Sequence, residues 1–235
     1  MMYATQYRES YPYYQHEKIG FNYRMSNICA GIGRGQMTVV DQHLKHHKHV
    51  QGLYEQLLAD VKGVTVHKQP DVRCKMADGR EIPVYDSNYW LCTITIDPEV
   101  KVKGQENAYK TIVTGAVGGA AGVIHAAESA HTDCEPNANV EALRVALDKA
   151  QIEARPVWKP MHKQPVYCAP LNEKGKMRNE ELPNGVICQT SATSVAYING
   201  VSEAIFKIGM CLPAGPYVSD DDVRYIVDTI KENVI

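Results

Sequence analysis

Residues 26–61 constrain the fold more than any other part of the chain, because their apolar side chains recur at steps of three and four. Ser26 or Asn27 can cap the start of such a helix, and Gly63 stands where a left-handed C-terminal cap is expected. The pattern predicts one long helix whose length leaves room for a kink or break. Its apolar positions are Ile28, Ile32, Val40, Leu44, Leu53, Tyr54, Leu57, Leu58 and Val61.

Strand and helix patterns alternate irregularly along the rest of the chain. They predict strands at 64–67, 89–96 and 209–213, and helices at 123–130, 140–150 (capped by Asn139), 194–206 and 220–233. The fold class is therefore α/β, with α+β as the alternative, built on a small mixed or antiparallel sheet flanked by helices. The predicted divisions are an extended arm at 1–25, a long connecting helix at 26–62 and a small C-terminal α/β domain at 63–235 with an excursion at about 97–138.

Composition excludes several classes of protein. The 235 residues carry a net charge of −2, which gives no electrostatic case for binding nucleic acid. No apolar run approaches the roughly 20 residues that span a bilayer, so we expect no membrane insertion. The first residues are polar and aromatic and are not typical of a secretory signal, so we expect a cytoplasmic protein. Seven scattered cysteines without a CxxC spacing argue against a disulfide framework and a structural zinc site.

Two motifs in the predicted long helix suggest ligands, but each lacks a feature that the corresponding site requires. In residues 31–36 (GIGRGQ) the third glycine comes one residue too early for a nucleotide fingerprint, and no strand precedes it. Close packing of another backbone against these glycines is the favoured explanation. His43 and His47 share a helix face, but no carboxylate completes a metal site, so we expect a solvated face and no metal.

Asn22, Tyr23 and Arg24 place an amide, a phenol and a guanidinium just before a helix start. Arginine binds phosphate or carboxylate through two hydrogen bonds, and helix N-termini attract anions. The alternative is a structural loop in which the arginine caps a neighbouring carbonyl. The residues alone leave the anion site and the structural role equally open.

A second polar segment, residues 155–162 (RPVWKPMH), is stiffened by two prolines. If it is extended, Trp158, Pro160 and His162 share one face. An indole beside an imidazole suits a sugar or a base, and His162 could hydrogen-bond a pyrophosphate. Lys159 can be considered as a Schiff-base lysine, although we expect an exposed surface charge at that position.

Five segments resemble, in order, the C-terminal half of the DegT/DnrJ/EryC1/StrS sugar aminotransferases. The resemblance runs from about Tyr11 to the end of the chain, apart from an excursion around residues 100–135. The matching segments are GFNYRMSNICAGIGRGQM, NYWLCTITID, ARPVWKPMHKQPVY, YINGVSEAIFKIGMCLPAGP and DDVRYIVDTIK.

The resemblance implies fold type I of the pyridoxal 5'-phosphate (PLP) enzymes, in a homodimer with active sites at the subunit interface. Asn22 would contact the PLP phosphate bound by the other subunit, and Tyr23 and Arg24 would lie near that site as substrate contacts.

The resemblance also implies that Arg155, Trp158 and His162 lie near a nucleotide-linked keto-sugar, with His162 the better-supported contact. The parent reaction would transfer an amino group from glutamate to this sugar, for surface polysaccharide or glycan biosynthesis.

The sequence departs from the family in one respect. The family's Schiff-base lysine, its aspartate on the pyridine nitrogen and its ring-stacking residue lie upstream of the NYRMS motif, where only a short lead-in is present here. We therefore expect no catalytic residue in this chain, an inactive isolated chain, and self-association through the apolar surface of the first helix and arm. The alternatives are part of a PLP-dependent sugar dehydratase and a non-catalytic module for nucleotide-sugar binding or dimerisation.

Overall fold

The structure is a computed structural model that describes residues 6–21, 26–109, 111–117, 120–125, 135–164, 167, 178–181, 187–190 and 195–235. The α-helices in this part of the chain are α1 (Asn27–Gln36), α2 (Val40–Leu57), α3 (Ala138–Lys149), α4 (Val201–Ile208) and α5 (Asp220–Asn233). The strands are β1 (Val64–Val66), β2 (Arg73–Lys75), β3 (Glu81–Pro83), β4 (Cys92–Ile96), β5 (Thr111–Val117), β6 (Ala120–His125), β7 (Arg155–Pro156), β8 (Arg178–Glu181), β9 (Ile187–Thr190), β10 (Val195–Ile198) and β11 (Gly209–Leu212).

Four strands form one antiparallel sheet in the spatial order β1-β4-β11-β7. β4 and β11 are therefore the inner strands, and β1 and β7 are the edges. The remaining strands form the pairs β2-β3 and β5-β6 and the three-stranded sheet β10-β9-β8. The predicted mixture of helices with a small antiparallel sheet is confirmed.

β11 is buried along its whole length and contributes to both faces of the sheet. Met210 and Leu212 belong to the larger of two apolar cores, and Cys211 belongs to the smaller. This division follows from the alternation of side chains along a strand. Gly209 follows α4 directly, and a Cβ at this position would lie 2.7 Å from the carbonyl oxygen of Ile205. The abrupt change from helix to strand therefore requires a glycine.

The larger core forms where α2, α3 and α5 pack on the sheet. The hydroxyl of Tyr54 in α2 donates to the carbonyl oxygen of Pro213 at 2.9 Å, so this buried phenol has its hydrogen bond. Removal of these apolar side chains from water is the main term that stabilises the domain. Fully buried members of this core include Val50, Tyr54, Leu58, Ile94, Ile96, Leu143, Leu147, Val223 and Ile230.

Residues 6–21 pack on the same chain. Tyr11 and Tyr13 stack with ring centroids 5.4 Å apart, and both are buried against Phe206 and Val157 in the smaller core. The expectation that the tyrosine-rich arm leaves its apolar surface uncovered is therefore wrong for these two residues, because the domain's own second core covers them.

The predicted long helix is two helices separated by a turn at residues 37–39. Thr38 Oγ1 donates to the carbonyl oxygen of Gly35 at 2.7 Å, a local bond that competes with the helical ladder. α1 buries none of its residues, and Ile28 and Ile32 are exposed. A Cβ at any of the three glycines of α1 would meet no described atom within 4 Å outside its own helix, so no described residue of this chain provides the predicted tight packing.

The start of α3 differs from the prediction. Asn137 is the residue that precedes the helix, and Asn139 lies inside it. The side-chain amide of Asn139 donates to the carbonyl oxygens of Asp97 and Val100, each at 3.0 Å. Asn139 therefore ties α3 to the segment after β4 instead of capping the helix.

Two predicted helices contain strands. The predicted helix at 194–206 is β10 followed by α4, which begins only at Val201 after a left-handed Gly200. The described part of the predicted helix at 123–130 belongs to β6, and residues 126–130 lie outside the described residues. By contrast, the predicted strand at 209–213 and helix at 220–233 are confirmed as β11 and α5.

A buried ion pair on α3 gives a first test of the fold. Arg144 Nε and Nη2 donate to the two carboxylate oxygens of Glu141, both at 2.8 Å, and the side chains are 5% and 2% exposed. Because Glu141→Gln leaves the guanidinium buried without its counter-charge, it should lower the free energy of unfolding by about 3 kcal/mol in urea titrations. Asp221→Asn is the matched control, since Asp221 and Arg224 form the same i,i+3 pair at the surface and should contribute nothing measurable. Equal urea midpoints for the wild type, Glu141→Gln and Asp221→Asn would contradict the stabilising role of the buried pair.

Two serine caps give a second test. Ser26 Oγ accepts from the backbone N–H of Cys29 at 3.3 Å, and Ser219 Oγ accepts from that of Asp222 at 3.2 Å. α5 buries five residues whereas α1 buries none. Ser219→Ala should therefore lower the stability of the domain by about 1 kcal/mol, and Ser26→Ala should leave the thermal midpoint unchanged.

The Ser219 cap should also respond to pH. Its hydroxyl and backbone N–H donate to the carboxylate of Asp222, and these bonds lower the pKa of Asp222. The stabilisation is complete above the pKa of the unfolded chain and is lost as the pH falls through the lowered pKa of the folded chain. The difference in thermal midpoint between wild type and Ser219→Ala should therefore shrink in acid.

Candidate functional site

A cleft of about 180 Å³ lies beside β7, at the edge of the four-stranded sheet. Four segments that are far apart in sequence form its walls: the arm at 6–21, the segment just before β4, the segment around β7, and the end of β11 with the residue after it. The fold brings them together because the arm packs on the smaller core and β4 and β7 both flank β11. The lining residues are Tyr14, Trp90, Leu91, Glu153, Arg155, Pro156, Trp158, Cys211, Leu212 and Pro213.

Three aromatic rings line this cleft in a continuous row. The rings of Tyr14 and Trp158 stack with centroids 5.8 Å apart and planes inclined at 26°. Trp90 lies against the same indole at 5.9 Å and 40°. Trp158 is 46% exposed and Trp90 is 62% exposed, although large aromatic side chains are mostly buried in folded proteins. Such an exposed aromatic platform is suited to stacking with a planar ligand.

Two guanidinium groups lie beside this row. The central carbon of the Arg8 guanidinium is 3.7 Å from the ring centroid of Tyr14. Arg155 Nε and Nη2 both donate to Glu153 Oε1, at 2.9 and 2.5 Å. Within the described residues, Arg8 Nε and Nη2 and Arg155 Nη1 are buried and have no hydrogen-bond partner.

The charges at this edge of the cleft do not balance. Burial lowers the pKa of Arg8, and the positive charge of the nearby Arg155 lowers it further. Glu153 is the carboxylate that faces this pair, and its side chain is 74% exposed. Two guanidinium groups against one largely solvated carboxylate leave a net positive charge that favours an anionic ligand.

Lys159 and Gln164 hold the arm in place. Lys159 is 2% exposed, which corrects the expectation of a surface charge, and its Nζ donates to Gln15 Oε1 at 2.9 Å. The side chain of Gln164 donates to the carbonyl oxygen of Tyr14 at 2.8 Å and accepts from the backbone N–H of His16 at 2.9 Å. These bonds fix the backbone on either side of Tyr14 and therefore the ring that the cleft uses.

The polar face of α2 positions Trp90. Lys48 Nζ donates to Asp86 Oδ1 at 2.5 Å, and His47 Nδ1 lies 3.2 Å from the carbonyl oxygen of Asn88. The side chain of Asn88 in turn accepts from the backbone N–H of Trp90 at 3.1 Å. The sequence placed Trp90 inside a strand, but β4 begins only at Cys92, because this segment bonds to α2 and to itself instead of to the sheet.

The structure does not bring His162 to the cleft. Residues Met161–Lys163 form a turn of 3₁₀-helix after Pro160, so the extended conformation that would align His162 with Trp158 is absent. His162 is largely buried, and its Nε2 lies 2.6 Å from Glu203 Oε1 in α4. Of the predicted substrate contacts, Arg155 and Trp158 therefore share one site and His162 lies apart from it.

Tyr14, Trp90 and Glu153 line the cleft and Arg8 lies on the Tyr14 ring, although no sequence pattern predicted a role for these four residues. The chain has 14 tyrosines and 2 phenylalanines, a composition that suits an apolar surface with hydrogen-bonding groups but does not give its position. Asn22, Tyr23 and Arg24 lie outside the described residues.

Two of the four histidines on α2 have a polar contact with another part of the chain. His49 Nε2 lies 2.8 Å from Asp220 Oδ1, and His47 contacts Asn88. In the part of the chain that the structure describes, no three His, Cys, Asp or Glu side chains come together as a metal ion would need. Within the same residues, none of the helices combines the length and the apolar character required to cross a membrane.

Lys159 does not fit a covalently held PLP. The candidate amine, Lys159 Nζ, is buried, donates to Gln15 and lies 5.7 Å from the ring centroid of Tyr13. A lysine that forms a Schiff base must present a free amine to the cofactor. Lys159 is instead a structural side chain, and we derive no chemical step from it.

This assignment can be tested by reductive labelling with PLP and borohydride. Because its amine is buried and hydrogen-bonded, Lys159 should be labelled at least about tenfold less than Lys68, whose side chain is 64% exposed. Peptide mass spectrometry of the native chain measures both sites, and the urea-unfolded chain should label them equally. Preferential labelling of Lys159 in the native chain would show a reactive amine and contradict the structural role.

Comparisons with known proteins agree on one family. Residues 3–106 match the model of the DegT/DnrJ/EryC1/StrS aminotransferase family. EpsN of Bacillus subtilis (strain 168), named as a pyridoxal phosphate-dependent aminotransferase, is 26% identical over 230 residues, which cover 97% of this chain and 40% of EpsN. A GDP-perosamine synthase of Vibrio cholerae is 26% identical over 218 residues, which cover 93% of this chain and 40% of that protein.

A solved structure gives a similar coverage. Spr1654 of Streptococcus pneumoniae, named as a sugar aminotransferase, superposes with a TM-score of 0.49 at 16% identity, over 93% of this chain and 37% of that one. The chain thus spans about two fifths of the length of the curated relatives that it matches.

Proposed function

We propose that this chain, which carries part of the sequence of the DegT/DnrJ/EryC1/StrS aminotransferase family, contributes the substrate-binding part of a PLP-dependent sugar aminotransferase. The proposed reaction transfers the amino group of glutamate to a nucleotide-linked keto-sugar, for the biosynthesis of a surface polysaccharide or glycan. The observation that carries the proposal is the aromatic cleft with its excess of positive charge, in a chain whose residues 3–106 match the family.

The cleft supports a role in substrate binding. The buried amine of Lys159 supports a catalytic amine at another position. Aromatic faces hold planar or sugar rings, and arginine holds phosphate. The amine of Lys159 is committed to Gln15, so we assign the amine that the reaction needs to another lysine of the assembled enzyme. PLP, when bound there, supplies the electron sink for amino transfer. Asn22 would contact its phosphate across a subunit interface, with Tyr23 and Arg24 beside it.

The proposed assembly is a homodimer, and α1 is the surface we assign to the contact. Every residue of α1 is exposed, including Ile28 at 76% and Ile32 at 60%. A ten-residue helix without tertiary contacts is marginal in water. Burial of these side chains against a second copy would stabilise it.

A reconstitution experiment tests this function. The chain is mixed with PLP, ¹⁵N-glutamate and a panel of nucleotide-linked keto-sugars, either alone or with the portion of EpsN that the chain does not cover. We expect ¹⁵N in the sugar product only in the second case, because the first lacks a free catalytic amine. The Vibrio cholerae GDP-perosamine synthase, assayed in its own reaction, is the positive control.

The other outcomes separate the alternatives. Transfer of ¹⁵N to the sugar by the chain alone would contradict the proposal that the catalytic amine lies outside this chain. Binding of a nucleotide-sugar without turnover in either case would favour the non-catalytic module. Loss of a sugar hydroxyl without uptake of ¹⁵N would favour a dehydratase.

A further inference from the structure

We infer that one face of the β2-β3 hairpin docks against the same face of a second copy of this chain. The contact lies on a different surface from α1 and does not depend on the proposed function. The residues on this surface, which we call the hairpin face, are Val72, Cys74, Met76, Arg80, Ile82 and Val84.

The register of the hairpin assigns these residues to one face. Cys74 lies opposite Ile82. The backbone N–H of Val84 donates to the carbonyl oxygen of Val72 at 2.7 Å, so these two residues also lie opposite each other. Side chains alternate along each strand, and residues that are opposite in an antiparallel pair share a face. The intervening residues, Arg73, Lys75, Glu81 and Pro83, therefore lie on the other face.

The apolar side chains of the hairpin face are exposed. Val72, Met76, Ile82 and Val84 have exposed fractions between 38% and 48%, and Cys74 is exposed as well. Among the described strands, β2 and β3 pair only with each other. A two-stranded hairpin alone is marginally stable in water, and strict alternation of apolar and polar residues is typical of a sheet with one covered face. The pattern therefore indicates a partner that covers the apolar side.

The charges of the hairpin show what kind of partner fits. Each of its three basic residues has an acidic neighbour, so the hairpin as a whole is neutral. The pairs are Arg73 with Asp71 at 3.3 Å, Arg80 with Asp78 at 2.7 Å, and Lys75 with Glu81 in the register of the strands. A neutral hairpin does not attract nucleic acid or an anionic membrane. The partner must present an uncharged apolar surface, and the same face of a second copy meets this requirement.

The two edges of the hairpin do not favour contact between copies. If two β2 strands paired in antiparallel fashion about Cys74, Arg73 of each copy would lie opposite Lys75 of the other, and these like charges would repel. On β3, Pro83 has no backbone N–H and interrupts any added ladder. Charged residues and proline protect an edge from strand addition. Two copies therefore meet through their faces.

A two-fold axis that runs across the strands gives a closed contact of this kind. The strands of the two hairpins are then antiparallel, and the two domains lie at opposite ends of the stack. Cys74 faces the second copy's Cys74, and Val72 faces the second copy's Met76. A face of two strands and five residues is well below the roughly 800 Å² per partner of a stable complex, so the contact is weak and its test must trap it.

Cys74 provides the trap. Stacked sheets lie about 10 Å apart, which leaves about 5 Å between two thiols that point at each other. A bifunctional thiol reagent of that reach should therefore join Cys74 to the second copy's Cys74. The reaction is run at chain concentrations up to about 1 mM, which populates even a weak contact. Peptide mass spectrometry of the dimer band identifies the linked cysteines.

Neighbouring residues on opposite faces of β3 provide matched variants. Ile82→Gln should lower the yield of the Cys74 cross-link by at least about fivefold, because a substitution in a two-fold contact acts in both copies. Glu81→Gln introduces the same side chain on the other face and should leave the yield unchanged. Val72→Gln is a second variant of the hairpin face, on β2, and should act as Ile82→Gln does. Circular dichroism checks that each variant is folded.

Three results would overturn the inference. The first is the absence of a link between the two Cys74 residues at the highest concentration. The second is an equal yield for wild type, Ile82→Gln and Val72→Gln. The third is co-sedimentation of the chain with phosphatidylserine vesicles that Ile82→Gln abolishes, without any Cys74 cross-link, which would assign the face to a lipid surface. None of these results bears on ¹⁵N transfer in the reconstituted enzyme, so the proposed function stands or fails separately.

Discussion

Strand β11 is the element on which the rest of the structure depends. It is the inner strand that joins β4 to the edge strand β7, and each of its four residues is buried. Met210 and Leu212 anchor the larger core, while Cys211 anchors the smaller core on which the arm folds. A shift of one residue in the register of β11 would exchange these two sets of side chains. Gly209 fixes that register, because the sharp exit from α4 leaves no space for a Cβ.

The cleft is a consequence of the smaller core. Tyr13 points into that core, and Tyr14, the next residue, therefore faces the opposite direction, toward Trp158. The buried amine of Lys159 costs desolvation energy, which its bond to Gln15 and its contact with the Tyr13 ring offset. The two neighbouring residues therefore have different roles: the buried Lys159 positions the arm, and the exposed Trp158 lines the cleft.

The sequence predicted those elements whose signals are local. α5 has a serine cap, an acidic first turn and a regular apolar stripe, and β11 is a short apolar run after a glycine, so both were predicted within a residue or two. Arg155 and Trp158 were predicted as substrate contacts because one polar segment contains both, and in the structure both line the cleft. Tyr14 and Trp90 were not predicted as neighbours of Trp158, since Trp90 approaches Trp158 only because β4 and β7 flank the same strand and Tyr14 approaches it only because the arm packs on the domain. His162 was misplaced because a single 3₁₀ turn redirects its side chain.

The division of polar groups in this chain bears on how the proposed enzyme is assembled. Arg155 and three aromatic rings line an open cleft, whereas the amine of Lys159 beside them is buried and has a structural role. In the proposed enzyme these accessible groups would hold a substrate, and an amine other than that of Lys159 would bond to the cofactor. The exposed apolar side chains of α1 form the surface that we propose for contact with a second copy, because covering them would remove apolar area from water and stabilise the helix.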